Sequence, residues 1–215
     1  MGFKGGNGGT VEALAIKQTE QLQPEEAARN AVYAFLALTL YGPPGERAIA
    51  VARAMATSDS LIGEAFSNFC DAYDAADPAD TASEYHDLFI GVGRGELVPF
   101  ESYYLTGFLN EKPLADLRTH LDELGFERAK GVSEPEDHIA ALCDVMAALV
   151  TGTASDEFTI YEQDQFFAAH LDRWAAQFFA DLGAAKTASL YRHIARIGEE
   201  FMRIEKDAFS MIERA

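Results

Sequence analysis

Between Pro24 and Ile212 apolar residues recur at spacings of three and four, and no stretch alternates long enough to make a half-buried strand. This confines the chain to an all-α fold, a single globular multi-helix domain with helices packed at varied angles around a shared core. Pro24-Glu25-Glu26 opens the first helix with a proline and two acids where the helix dipole favours them. Ala31, Val32, Phe35, Leu36, Leu38 and Leu40 cover more than one face of it, which predicts a central, buried helix. Gly42-Pro43-Pro44-Gly45 stops it. Shorter helices follow over roughly 45–57 and 60–75, and Asp77-Pro78 starts another that carries Tyr85, Leu88 and Phe89. Pro113 opens a helix with Leu114, Leu117, Leu121 and Leu124 on one face, closed by Gly125. Ser133-Glu134-Pro135-Glu136 spells a capping box ahead of the stripe from Ile139 to Val150. Phe167, Leu171, Trp174 and Phe178 predict one long helix ending near Gly183, and Tyr191 to Ile212 forms the last.

Residues 1–23 are glycine-rich and then polar, and are expected to form a mobile arm ahead of a helical domain spanning 24–215. The arm lacks the apolar core of a secretory signal, and the longest apolar runs fall well short of the roughly 20 residues that span a bilayer. Cys70 and Cys143 lie far apart and outside any CxxC spacing, so both are expected to be small core residues in a reducing compartment. A cytoplasmic protein is the expectation. The 35 acidic residues against 17 basic give a formal charge of −18. That field repels phosphate backbones, which argues against nucleic-acid binding and steers basic partners inward.

Glu84 to Leu105 stands apart from the rest. An aromatic-rich helix end (Tyr85, Leu88, Phe89) runs into Gly91, Gly93 and Gly95, then Pro99-Phe100-Glu101-Ser102 and the pair Tyr103-Tyr104. The glycines are spaced GxGxG after a helix, whereas a dinucleotide fingerprint needs GxGxxG after a strand. They are expected to form a movable connector beside an aromatic wall, the form of a peptide groove. Phe100-Glu101-Ser102-Tyr103 is not a nucleophile elbow, and Ser102 suits a cap for the helix that follows. Asp137 and His138 are placed in the first turn behind the capping box, where the dipole stabilises an acid and lowers a histidine's pKa. Glu134, Asp137 and His138 sit at i, i+3 and i+4, but no second histidine or nearby cysteine completes a metal set. No catalytic residue, metal site or resident cofactor is expected. The competing reading is a small enzyme or nucleotide-binding regulatory module using the glycine loop with Asp137 and His138.

These residues resemble a known family. Glu84-Tyr85 with Leu88-Phe89, the following glycine, and Pro99-Phe100-Glu101-Ser102-Tyr103 look like the first signature of the TorD/DmsD/NarJ redox-enzyme maturation chaperones. Glu134-Pro135-Glu136-Asp137-His138 resembles their second signature, and Phe166-Phe167 through His170-Leu171 and Trp174 to Phe178 resembles their C-terminal pattern. The resemblance implies a cytoplasmic, non-enzymatic, TorD-like all-helical chaperone. Its partner would be the catalytic-subunit precursor of a molybdenum-cofactor oxidoreductase, whose twin-arginine leader or apoprotein it holds while cofactor is inserted before export. It also implies leader contacts at Tyr85, Leu88, Phe89, Pro99, Phe100, Glu101, Ser102, Asp137 and His138, to which Gly91, Tyr104 and Glu134 are added as flanking candidates. Weak guanine-nucleotide binding is compatible with it. So is either a monomer or a domain-swapped dimer, hinged at the glycine loop or near Lys130-Gly131. Val98-Pro99-Phe100 departs from the family's usual double-proline turn and loses a polar or indole handle, which bears on leader preference.

Overall fold

The computed structural model describes residues 4–5, 22–127, 134–152 and 157–212. Among these are ten α-helices, one π-helical turn and one two-stranded ribbon. The ribbon pairs β1 (Lys4–Gly5) antiparallel with β2 (Phe126–Glu127), so part of the expected arm is held by backbone pairing. The rest of the arm, Ser133 and the Lys130-Gly131 hinge lie outside the described residues.

The all-α expectation holds, and the chain divides into two compact units. The first holds residues 1–37 and 100–171, the second residues 38–99 and 172–215. Helix α1 (Pro24–Leu40) runs from one into the other.

The second unit contains α2 (Glu46–Met55), α3 (Leu61–Ala75), α4 (Pro78–Tyr85), the π turn (His86–Ile90), α9 (Ala175–Ala184) and α10 (Tyr191–Ser210). Helix α10 packs on both α9 and α3, and α2 packs on α3. Gly198 makes the α9–α10 contact close, because a Cβ there would collide with the Phe179 ring. Asp77 caps α4 through its side chain to the Ala79 amide at 2.7 Å, with Pro78 in the first turn.

The first unit contains α5 (Glu101–Thr106), α6 (Lys112–Glu123), β2, α7 (Ile139–Thr151) and α8 (Ile160–His170). Helix α7 packs on α8, and α5 on α6. Ten of the thirteen residues of α7 are buried, from Ile139 to Val150, so it is the centre of this unit's core. Leu114, Leu117 and Leu121 are buried as their spacing predicts, and Gly125 closes α6 at φ +74°.

Two boundary expectations fail. Helix α7 begins at Ile139 with His138 as its N-cap, so Asp137 and His138 precede the helix and do not lie in its first turn. Glu134 lies outside the helix on an exposed bend, and the His138 side chain supplies the cap in place of the expected Ser133–Glu136 box. The long helix through Phe167, Leu171, Trp174 and Phe178 is instead α8 and α9, broken at residues 171–174. All four apolar side chains are buried, so the spacing recorded burial truly. Two helices meeting at a break satisfy the same spacing as one helix. A capping box unread in the sequence, Thr159 with Glu162, starts α8.

Candidate functional site

Tyr85, Leu88, Phe89, Gly91 and Pro99 belong to the second unit, whereas Phe100, Glu101, Ser102, Tyr104, Glu134, Asp137 and His138 belong to the first. In the second unit Glu84, at the end of α4, sets the geometry. Its carboxylate accepts hydrogen bonds from the backbone N–H groups of Ser189, Leu190 and Tyr191 at 2.6, 3.1 and 2.8 Å. These are orphan donors of the α10 N-terminus, so an acid about a hundred residues earlier in the chain caps that helix. The cap holds Tyr191 against Tyr85 and Phe89, with ring centroids 6.0 and 5.5 Å away. Tyr191 donates to the Thr39 carbonyl at 2.9 Å, while Tyr85 donates to the Tyr41 carbonyl at 2.9 Å. Burial first, then Tyr85 and Glu84 nearby, push the Tyr191 hydroxyl pKa far up, so it remains a donor.

Tyr85 and Phe89 are half-buried and Leu88 is fully enclosed, so in this conformation only the first two offer surface. The π turn ends at Gly91, at φ +59°, where a Cβ would strike the Arg94 carbonyl. Beyond it the chain folds back, with the Glu96 and Leu97 amides donating to the Asp87 and Leu88 carbonyls at 3.1 and 2.9 Å. Glu96 then accepts from the Lys186 and Thr187 amides at 2.7 and 3.2 Å, and these bonds hold its pKa below the usual carboxylate range. The loop expected to be movable is pinned at both ends. Gly91 and Gly95 answer to its own close-packed backbone, whereas Gly93 is required only by its φ of +90°.

In the first unit the two signature segments are joined directly. Phe100 pairs with His138 in an isolated antiparallel bridge, their rings meeting edge-on at 5.0 Å. The Glu101 amide donates to the Asp137 carbonyl at 2.9 Å, and the Ser102 amide donates to Asp137 Oδ2 at 2.9 Å. Ser102 is therefore the second residue of α5 and not its cap; Asp137 caps the helix from thirty-five residues away. His138 Nδ1 accepts from the Ala140 amide at 3.1 Å. That bond requires an unprotonated nitrogen, and burial depresses the ring's pKa to about 4.

Asp137 Oδ1 and Ser102 Oγ are both buried and have no hydrogen-bond partner among the described residues. A buried carboxylate oxygen without a donor is costly, and natural sites keep such a group where something else supplies the donor. Nearby, Arg118 donates twice to Glu136 Oε2, at 3.1 and 2.8 Å. Buried Glu101 lies 3.3 Å from His170 Nδ1, and His170 Nε2 lies 3.1 Å from His120 Nδ1. Sequence reasoning gave neither Glu84 nor the histidine chain a role in the site, although Glu84 and His170 stand within the motifs it singled out.

Phe100 and Tyr104 are half-buried and Glu134 is exposed, while Glu101, Ser102, Asp137 and His138 are buried. Among the described residues no cluster of three histidine, cysteine or carboxylate side chains could hold a metal ion, and no helix is long and apolar enough to cross a membrane.

The sequence model of the family described as nitrate reductase delta subunit matches residues 55–180, more than half of the chain. The chaperone protein TorD of Vibrio cholerae is 29% identical over 150 residues, covering 66% of this chain and 67% of that one. The TorD of Aliivibrio fischeri is 31% identical over 107 residues, covering 46% and 50%. In fold, the chain is similar to a protein of Archaeoglobus fulgidus assigned as a redox enzyme maturation protein. Its crystal structure superposes with a TM-score of 0.58 at 18% identity, over 81% of this chain and 93% of that one. Together with the two signature segments that meet at Asp137, these matches make the chain a member of the TorD/NarJ family.

Proposed function

We propose that this protein is a cytoplasmic maturation chaperone for a molybdenum-cofactor oxidoreductase, and that it acts by holding the twin-arginine leader of the precursor until cofactor is inserted. The observation that carries the reading is the half-used carboxylate of Asp137. One oxygen caps α5 and the other is buried without a donor among the described residues, as is the Ser102 hydroxyl. An arginine guanidinium has five N–H donors and is the side chain best suited to a carboxylate that lacks them. Half-exposed aromatic surface at Phe100 and Tyr104, in the same unit as Asp137, suits the apolar stretch that follows the arginines. The net charge of −18 attracts a basic leader before contact.

The energies suit a holding role. Burying three or four leucine or phenylalanine side chains gives about 6–8 kcal/mol. Ordering and association costs remove several kcal/mol, and charge-assisted bonds restore a few. The balance is on the order of micromolar affinity, which retains a precursor yet lets it go. Binding and release are the whole cycle; no covalent bond changes.

Titration calorimetry with a twin-arginine leader and its twin-lysine counterpart tests the proposal. Binding of the first with at least a tenfold preference over the second is expected. Failure of both peptides to bind, together with failure to bind any molybdoenzyme apoprotein, would overturn it.

A further inference from the structure

Three ring and carboxyl groups of the first unit form a chain that the proposed leader binding does not use. Glu101, at the start of α5, is buried, and its carboxylate oxygens lie 3.4 and 3.3 Å from His170 Nδ1. His170, the last residue of α8, is also buried. Its Nε2 lies 3.1 Å from Nδ1 of His120, which is half-exposed on α6. Phe166 packs against both rings, at 5.4 Å from His120 and 5.0 Å from His170. The row runs from a partly exposed imidazole to a buried carboxylate through one fully enclosed ring.

We propose that Glu101, His170 and His120 form a proton-sharing relay that ties the first turn of α5 to the proton concentration outside. The argument is donor counting. With both rings neutral, His170 Nδ1–H donates to Glu101, its Nε2 accepts from His120 Nδ1–H, and His120 Nε2 is left unprotonated. One added proton is tolerated, because either ring then holds the charge and the middle bond simply reverses if His170 carries it. A second added proton places N–H against N–H between two imidazolium ions, and the chain breaks. The pair therefore shares one added proton, and its bonds offer no arrangement for a second.

The charges that act on His120 leave this logic in place. Of the charges bearing on His120, His170 lowers its pKa and Glu123, one turn along α6, raises it, while burial contributes the largest lowering. Arg118 on the same helix is bonded twice to Glu136. Asp137 engages the amides at the start of α5. Breaking the relay would loosen Glu101 beside the residues Asp137 caps, so acidification acts on the first signature from behind.

The experiment is a pH series from 8 to 4.5 on the full chain labelled with ¹⁵N-histidine, read by long-range ¹H–¹⁵N correlation spectra. The expected result is His120 in the Nδ1–H form at pH 8, with His120 and His170 sharing two steps more than one pH unit apart. On a uniformly ¹⁵N-labelled sample the Glu101 and Ser102 amide shifts should move with the lower step. His120→Leu should convert His170 to a single step. Independent, single-step titration of the two rings in the wild-type chain would overturn the relay whether or not the variant folds, and so would a His170 titration unchanged by His120→Leu. Neither outcome bears on leader binding, which the calorimetry tests separately.

Discussion

Both units are organised by an acid that caps a helix formed by a distant segment, and the two acids differ in how fully they are used. Glu84 accepts three backbone N–H bonds with its two oxygens and leaves neither oxygen idle. Asp137 accepts one with Oδ2 and keeps Oδ1 buried without a donor among the described residues. The residues otherwise look alike in sequence, each standing within a motif next to an aromatic ring. The difference teaches that a signature acid can be architecture in one place and a receptor in another. Counting the donors around it separates the two.

The comparison predicts its largest effect at Glu84. Glu84→Ala leaves three amides at the start of α10 without an acceptor and should cost about 3–5 kcal/mol of unfolding free energy. Chemical denaturation followed by circular dichroism measures it. A loss under 1 kcal/mol would mean that the α10 cap is not what holds the second unit, and the contrast with Asp137 would collapse.

The next effect separates the units by pH. His138 caps α7 as a neutral acceptor with its pKa held near 4, against an ordinary value of 6.5. The folded state thus binds fewer protons than the unfolded chain. Its contribution is fully present above about pH 6.5 and is lost progressively as the pH falls towards 4, to a total of about 3 kcal/mol. Glu96 behaves differently, since its lowered pKa keeps its bonds to the Lys186 and Thr187 amides at pH values where His138 has begun to protonate. Hydrogen exchange at pH 7 and pH 5, corrected for intrinsic rates, should show protection lost first at the start of α7 and retained at α10. His138→Asn keeps a side-chain acceptor at the N-cap without a titrating group, and should flatten the stability slope over that range.

The extent to which this was legible in the sequence follows the range of the interactions. Local signals were readable: Pro24 and Asp77-Pro78 open α1 and α4, and Gly125 closes α6, because capping and dihedral preferences act within a few residues. Thr159 with Glu162 was equally local and stood in plain view as a capping box. Nothing in the neighbourhood of Glu84 tells that its partners are residues 189–191, since no periodicity links positions so far apart. The same holds for Asp137 and Ser102. Their shared place in the signatures pointed to importance, whereas the role of cap came only from geometry. The break between α8 and α9 was hidden because apolar spacing reports which side chains are enclosed and is silent on whether one helix or two enclose them.

A smaller effect is expected at Asp137 itself. Asp137→Ala removes a single cap bond and should cost about 1–2 kcal/mol, less than the loss at Glu84. Its effect on leader affinity should be larger than on stability, at about a hundredfold by calorimetry, which is about 2.8 kcal/mol. Asp137→Asn keeps an oxygen that can face the Ser102 amide while discarding the charge, so stability should recover more than affinity does. Equal losses in both measurements for both variants would reduce Asp137 to a second Glu84.

The smallest effect sharpens the contrast most. Ser102 is buried, yet its hydroxyl has no partner among the described residues, so removing it deletes a desolvated polar atom and none of the bonds described. Ser102→Ala should therefore leave unfolding free energy within about 0.5 kcal/mol of wild type, or raise it slightly. A buried serine that merely served the fold would show the opposite, a clear loss from a severed hydrogen bond. If the hydroxyl and Asp137 Oδ1 instead wait for a donor brought by the leader, Ser102→Ala should weaken leader binding several-fold at unchanged stability. An affinity as little changed as the stability would leave Asp137 alone as the receptor and confine the spare capacity of the first unit to one oxygen.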